Sequence, residues 1–129
     1  MEAIAIVTAL ALSQVIVFSY LVGKARGKYG ISAPAISGNP NFEREFRVHQ
    51  NTLEQLVAVI PAMWMFGMYV HALTAAGLGF VFIVSRFIYR KAYLADPKSR
   101  SPGFTIGAVC TITLVLGSLI GAALAWYNG

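Results

Sequence analysis

Long uncharged apolar runs constrain this chain more than any other feature of its sequence. Residues 3–22 and 104–127 contain no charged side chain, and about 20 consecutive apolar residues span the hydrocarbon core of a bilayer as a helix. Only 12% of the residues are charged, against about 25% in an average soluble domain. These charges are too few to coat a water-soluble globule. The sequence therefore predicts an all-α integral membrane protein.

Two further apolar runs, residues 56–70 and 73–89, lie so close together in the chain that they must form an antiparallel helical hairpin. The first of them is short for a span, so its helix is expected to begin upstream in a polar segment. Asn39 and Pro40 mark this start, because asparagine caps helix N-termini and proline is favoured at the first helical position. The sequence thus predicts one domain, residues 1–129, with four transmembrane helices at about residues 3–22, 40–70, 73–94 and 103–127.

The alternative for the first run is a cleaved signal peptide. Glu2 stands where a signal peptide carries basic residues, and the run is longer than a usual signal-peptide core. Both features favour a membrane helix.

The basic residues are confined to residues 24–47 and 86–100, in or beside the two longer connections. By the positive-inside rule this side is cytoplasmic, and both termini face the other side. The distribution explains the net charge of +5 without a nucleic-acid partner.

The last apolar run contains Gly117 and Gly121, a spacing that lets membrane helices approach closely. A four-helix chain of this size gains stability by burying such a face between subunits, so we expect an oligomer. Cys110, the one cysteine, lies in the same run and is expected to be a buried structural thiol.

A dense polar segment precedes the apolar part of the second helix. Arg47, Asn51 and Glu54 are spaced by four and three residues, so they share one helix face. Gln55 borders this face, whereas His49 points elsewhere. A cation, an amide and an anion in one column suit a ligand with both kinds of charge. The alternative is a set of solvated interfacial residues in which the arginine snorkels, but an unpaired carboxylate at the edge of an apolar run is costly.

The third helix carries a second polar column near the same membrane boundary. Arg86, Tyr89 and Tyr93 share a face. The tyrosines alone fit an aromatic belt, but an arginine inside an apolar run indicates a specific partner, and we expect Arg86 to pair with Glu54.

Together the Arg47-x-His49-x-Asn51-x-x-Glu54 segment and the Arg86-x-x-Tyr89-x-x-x-Tyr93 segment resemble the membrane-associated proteins of eicosanoid and glutathione metabolism (MAPEG). The nearest resemblance is to bacterial members similar to microsomal glutathione transferases. It covers essentially the whole chain.

This resemblance implies a homotrimer with one glutathione site at each subunit interface, at the cytoplasmic end. Arg47, Asn51 and Glu54 would bind the tripeptide, and Tyr89 and Tyr93 would come from the neighbouring chain. Arg100 would be the catalytic residue that holds the sulfur as thiolate. The full set of glutathione-binding residues that the resemblance implies is Arg26, Arg47, His49, Asn51, Glu54, Gln55, Arg86, Tyr89 and Tyr93.

The predicted function is transfer of glutathione to hydrophobic electrophiles dissolved in membrane lipid, with reduction of lipid hydroperoxides as a further activity. One alternative is a noncatalytic lipid-binding or scaffold protein of the same fold. The other is a small multidrug exporter. Such an exporter needs an acidic residue inside a membrane span, and the first helix has no such residue in its apolar run. A metal site is not predicted, because His49 and His71 lie at opposite ends of the second helix.

Overall fold

Four helices account for most of the chain, and the computed structural model describes all residues from 1 to 129. The four helices predicted from the sequence are present, and the prediction that all four span a membrane stays a prediction. They are α1 (Glu2–Tyr29), α2 (Pro40–Tyr69), α3 (Ala72–Ala95) and α4 (Ser101–Asn128), with one 3-10 turn at Pro97–Ser99.

Helix α1 extends to Tyr29, past the predicted end of the first span at residue 22. Its last turn contains Arg26 and Lys28, and cations are favourable at the C-terminal end of the helix dipole. Gly30 then ends the helix in the left-handed conformation, with φ of 69°. The first helix is therefore longer than its apolar part.

Side-chain caps fix where α2 and α3 begin. Asn39 Oδ1 accepts hydrogen bonds from the backbone N–H groups of Asn41 and Phe42, at 2.9 and 3.2 Å, as predicted for the start of α2. His71 Nδ1 accepts one from the backbone N–H of Thr74 at 3.1 Å. This histidine caps α3 and helps to close the tight α2–α3 turn.

The α2–α3 hairpin forms the centre of the bundle. Helix α1 packs against both α2 and α3, and α4 packs against both of them as well. The C-terminal ends of α1 and α3 meet the N-terminal ends of α2 and α4 at one end, which we call the basic end. All lysines and arginines lie in the half of the bundle nearest to it.

Three segments are long and apolar enough to cross a membrane: Glu2–Tyr29, Ala72–Ala95 and Pro97–Asn128. Helix α2 has 30 residues, but its N-terminal half is polar. The outward surface of the bundle carries many exposed large apolar side chains, including Ile16, Val57 and Leu119. Such a surface is typical of a protein in contact with membrane lipid.

The face that contains Gly117 and Gly121 packs inside the chain. A Cβ atom at Gly117 would collide with the ring of Phe66. One at Gly121 would lie 2.8 Å from a methyl group of Val70 and 2.9 Å from the carbonyl oxygen of Tyr69. The prediction that this face lies between subunits is wrong, because the absence of side chains brings α4 onto the end of α2.

Candidate active site at the basic end

A cavity of about 470 Å³ opens at the basic end of the bundle, and we call it the α2–α4 cavity. It lies between the first half of α2, the C-terminal part of α3 and the N-terminus of α4. The polar columns of α2 and α3 therefore face one space, together with the arginine before α4. Six predicted site residues line it: Arg47, Asn51, Glu54, Tyr89, Tyr93 and Arg100.

The α2 column forms one wall. Helix α2 buries its opposite face, which includes Val48 and Thr52, against the rest of the bundle. Arg47 and Glu54 are consequently exposed at the rim, and Asn51 is half-buried between them. This arrangement follows from the amphipathic pattern of the helix. It places a guanidinium, an amide and a carboxylate in order along the cavity.

Two tyrosines of α3 form the second wall. The rings of Tyr89 and Tyr93 stack with their centres 5.5 Å apart and an angle of 11° between their planes. The sequence analysis assigned them to a site on the neighbouring chain, but the structure places them in the cavity of their own chain. The reason is the tight turn after α2, which makes α3 run back directly alongside it.

Arg100 reaches the cavity from the connection between α3 and α4. The 3-10 turn Pro97–Ser99 is capped by Asp96, whose Oδ1 accepts from the backbone of the turn. Ser99 Oγ donates to the carbonyl oxygen of Ala92 at 2.9 Å and so ties the turn to the end of α3. These contacts fix the short connection and hold Arg100 beside the first turn of α4.

Arg86 lies behind the cavity and is only 1% exposed. Its Nη2 donates to Asn51 Oδ1 at 2.6 Å, and its Nε donates to Thr52 Oγ1 at 3.1 Å. Its guanidinium carbon also lies 4.0 Å from the centre of the Tyr89 ring. The predicted pair with Glu54 is wrong, because that carboxylate is on the exposed rim while the arginine points into the α2–α3 interface.

Three other predicted residues lie outside the cavity of their own chain. Arg26 Nη1 donates to the carbonyl oxygen of Ala35 at 2.7 Å, and its guanidinium lies 4.9 Å from the centre of the Phe42 ring. This arginine therefore holds the connection between α1 and α2. His49 and Gln55 are half-buried on α2 and do not line the cavity.

Four lining residues were missed by the sequence analysis: Gln50, Ser101, Phe104 and Thr105. Helical spacing could have predicted Gln50, because it lies three residues after Arg47 and four before Glu54 and therefore shares their helix face. The others form the first turns of α4 directly after Arg100. Their spacing places them on one face of α4, but the sequence does not show which neighbour that face meets.

Gly103 sets the distance between α3 and α4 at the cavity. A Cβ atom there would lie 2.6 Å from the backbone nitrogen of Tyr89 and 2.8 Å from its Cα atom. Only glycine allows this backbone contact, which brings the first turn of α4, including the cavity residue Phe104, close to α3. The depth of the cavity therefore depends on a residue that does not line it.

A comparison with models of protein families identifies the family of this chain. A model of the MAPEG family matches residues 4–120. The chain belongs to the MAPEG family. This membership agrees with the all-helical bundle and with its long apolar helices, and it makes this chain a membrane protein.

Relatives of this MAPEG protein include named enzymes. The chain is 41% identical to an uncharacterized protein of Synechocystis sp., over 90% of this chain and 85% of that one. It is 40% identical to microsomal glutathione S-transferase 2 of Homo sapiens, over 90% of this chain and 80% of that one. It is 30% identical to leukotriene C4 synthase of Cavia porcellus, over 90% of this chain and 78% of that one.

Proposed function

We propose that this MAPEG protein is a membrane-bound glutathione transferase that attaches glutathione to lipophilic electrophiles. The observation that carries the proposal is the convergence of Arg47, Asn51 and Glu54 with Tyr93 and Arg100 on one cavity. The relation to microsomal glutathione S-transferases supports it.

The charges of the cavity complement those of glutathione, which carries two carboxylates and one ammonium. Arg47 presents a guanidinium that matches a carboxylate in two parallel hydrogen bonds. Glu54 lies two turns further along α2 and takes the ammonium. Asn51 lies between them, and its amide NH₂ remains free to donate because its Oδ1 already accepts from Arg86. We infer that the tripeptide lies along α2 with its thiol toward α4.

Arg100 is positioned to stabilise the sulfur as thiolate. A reference thiol has a pKa of about 8.5, and a neighbouring guanidinium lowers the thiol pKa while staying charged itself. One unit of pKa corresponds to roughly 1.4 kcal/mol, a modest demand for one close cation. Tyr93, Ser101 and Thr105 line the same cavity, and we propose their hydroxyl groups as additional donors.

The transfer reaction needs no further catalytic group. The thiol proton passes to solvent, and the thiolate sulfur attacks the electrophilic carbon. A carbon–sulfur bond forms while the leaving group departs with its electron pair. Reduction of a lipid hydroperoxide uses the same thiolate, which attacks the outer peroxide oxygen and breaks the oxygen–oxygen bond. The departing lipid alkoxide takes a proton from water and leaves as the alcohol, and the glutathione sulfur becomes a sulfenic acid. A second glutathione then converts the sulfenic acid to the disulfide and water.

We further propose a homotrimer with each site at a subunit boundary and with the basic end in the cytoplasm, by the positive-inside rule. In this arrangement Arg26 and His49, which do not line the cavity of their own chain, reach glutathione from a neighbouring subunit. Gln55 extends the polar column of α2. The lipophilic substrate enters from the bilayer along α4, past the exposed ring of Phe104.

Titration calorimetry with glutathione in detergent tests this function. Wild-type protein and Arg100→Ala should both bind glutathione, but only wild type should show the ultraviolet absorbance of bound thiolate and conjugate a lipophilic electrophile. Lys98→Ala is the control, since this substitution removes a nearby cation that does not line the cavity. Retained thiolate in Arg100→Ala would remove this arginine from the mechanism. A folded wild-type protein that binds no glutathione would favour the noncatalytic lipid-binding alternative.

A further inference from the structure

A second cavity, of about 400 Å³, opens at the basic end on the other side of the α2–α3 hairpin. We call it the α1–α3 cavity. It lies between the last turns of α1, the first two turns of α2 and the end of α3. Its lining shares no residue with the α2–α4 cavity, so the proposed transferase site makes no use of it.

The floor of the α1–α3 cavity is an ion pair with unfilled hydrogen-bonding positions. Arg90 Nη2 donates to Glu45 Oε1 at 2.7 Å, and Glu45 is 8% exposed. Glu45 Oε2 and Arg90 Nε are buried and have no hydrogen-bond partner in the protein. Buried polar atoms nearly always have partners, so this floor can accept one further hydrogen bond and donate another.

Cations also surround the cavity. Lys24 and Lys28 lie one turn apart on α1 and line it together with Arg90. Glu45 offsets one of these three positive charges, and two remain. The site therefore attracts a negatively charged group such as a phosphate.

An apolar track leads from these cations toward the middle of the bundle. Val17 and Leu21 precede Lys24 at helical spacing on the same face of α1. The ring of Phe87 on α3 stacks edge-on against Phe18 of α1 at 5.7 Å and remains half exposed beside this track. A molecule held in the cavity by its phosphate can thus lay an alkyl chain along the α1–α3 surface.

We propose that the α1–α3 cavity binds the headgroup of a phospholipid that carries both a phosphate and a hydrogen-bond donor. Lys24, Lys28 and Arg90 hold the phosphate, and Glu45 accepts from the ammonium or hydroxyl group of the headgroup. Ethanolamine and glycerol headgroups meet this requirement. Choline does not, because its quaternary nitrogen has no hydrogen to donate.

Competition between two lipids of equal net charge tests the proposal on the wild-type protein. The protein is placed in nanodiscs with equal amounts of phosphatidylethanolamine and phosphatidylcholine, and native mass spectrometry counts the lipids that remain bound after release. We expect severalfold more phosphatidylethanolamine than phosphatidylcholine. Equal retention of the two would overturn the role given to Glu45.

A pair of double variants tests the cations. Lys24→Gln with Lys28→Gln should weaken phospholipid retention by roughly thirtyfold, as expected for two lysines that contact a lipid phosphate. Lys91→Gln with Lys98→Gln removes the same charge from residues that line neither the α1–α3 cavity nor the α2–α4 cavity and should leave retention unchanged. Equal loss in both double variants would show only general attraction of the basic end to lipid and would overturn the site.

Inorganic phosphate distinguishes a lipid from a soluble ligand. The detergent-purified protein is titrated with inorganic phosphate alone in a calorimeter. The heat of binding should be the same for wild type and for the Lys24→Gln, Lys28→Gln double variant. Heat that the double variant loses, without lipid retention, would identify a soluble phosphate compound as the occupant and would overturn the assignment to a phospholipid.

Discussion

Replacement of Arg86 by methionine should weaken glutathione binding about tenfold without unfolding the protein. The arginine does not line the α2–α4 cavity, but it donates to Asn51 Oδ1 at 2.6 Å and lies 4.0 Å from the centre of the Tyr89 ring. It therefore holds two cavity residues, one on each wall. Methionine retains the length and the apolar contacts of the side chain but cannot donate to the amide.

The expected magnitude follows from these contacts. A hydrogen bond to a charged group contributes about 1.5 to 3 kcal/mol, and part of this holds the amide of Asn51 in the orientation that donates to the ligand. Loss of about 1.4 kcal/mol of binding energy corresponds to the tenfold weakening. Stability should change less, because the guanidinium of Arg86 is buried without a carboxylate partner and its removal also removes a desolvation penalty.

A double-mutant cycle provides the assay. Glutathione affinity is measured by calorimetry for Arg86→Met, Asn51→Ala and the combination, with thermal unfolding measured in parallel. If the arginine acts through the amide, the combination should bind about as weakly as Asn51→Ala alone, so the two losses do not add. Arg44→Met is the matched control, because Arg44 donates only to the carbonyl oxygen of Leu94, at 3.1 Å. Additive losses, or unchanged affinity in folded Arg86→Met, would refute the positioning role.

Two further predictions concern the rim and the depth of the cavity. Glu54→Gln should weaken glutathione binding about tenfold but should leave unchanged the binding of glutaryl-cysteinylglycine, which differs from glutathione only in lacking the ammonium. Glu43→Gln, which removes a carboxylate outside the cavity, should change neither affinity when both are measured by calorimetry. Gly103→Ala should destabilise the protein by about 1 to 3 kcal/mol through overpacking against the Tyr89 backbone and lower activity. Gly77→Ala, with open space around it, should be neutral or slightly stabilising in thermal unfolding.

Local patterns in the sequence were sufficient to predict the helices and the polar columns. Apolar runs of membrane length and the Asn39 cap depend only on neighbouring residues, and the structure contains four helices with that cap in place. The columns of Arg47 to Glu54 and of Tyr89 to Tyr93 follow from helical spacing in the same way. Residues on one helix face stay together whatever the rest of the chain does.

Contacts between helices were harder to predict, because they depend on how helices rotate and how far they slide along one another. Sequence reasoning paired Arg86 with Glu54 since opposite charges attract. The rotation of α2 instead turns Thr52 toward α3 and leaves Glu54 at the rim. Gly117 was misassigned for the same reason: a small residue permits close approach, but the sequence does not state which helix approaches.

The position of the α2–α3 hairpin explains why one end of the bundle holds two separate polar cavities. Both helices carry polar residues at the basic end, and each contributes to both sides of the hairpin. Asn51 and Tyr89 face α4, whereas Glu45 and Arg90 face α1. Because α1 and α4 pack on opposite sides of the hairpin, each closes its own cavity against the shared pair of helices. A change that moves α2 relative to α3, such as loss of the Arg86 contacts, is therefore expected to alter both cavities. A change at Lys24 and Lys28 of α1, which line only the α1–α3 cavity, should alter lipid retention alone.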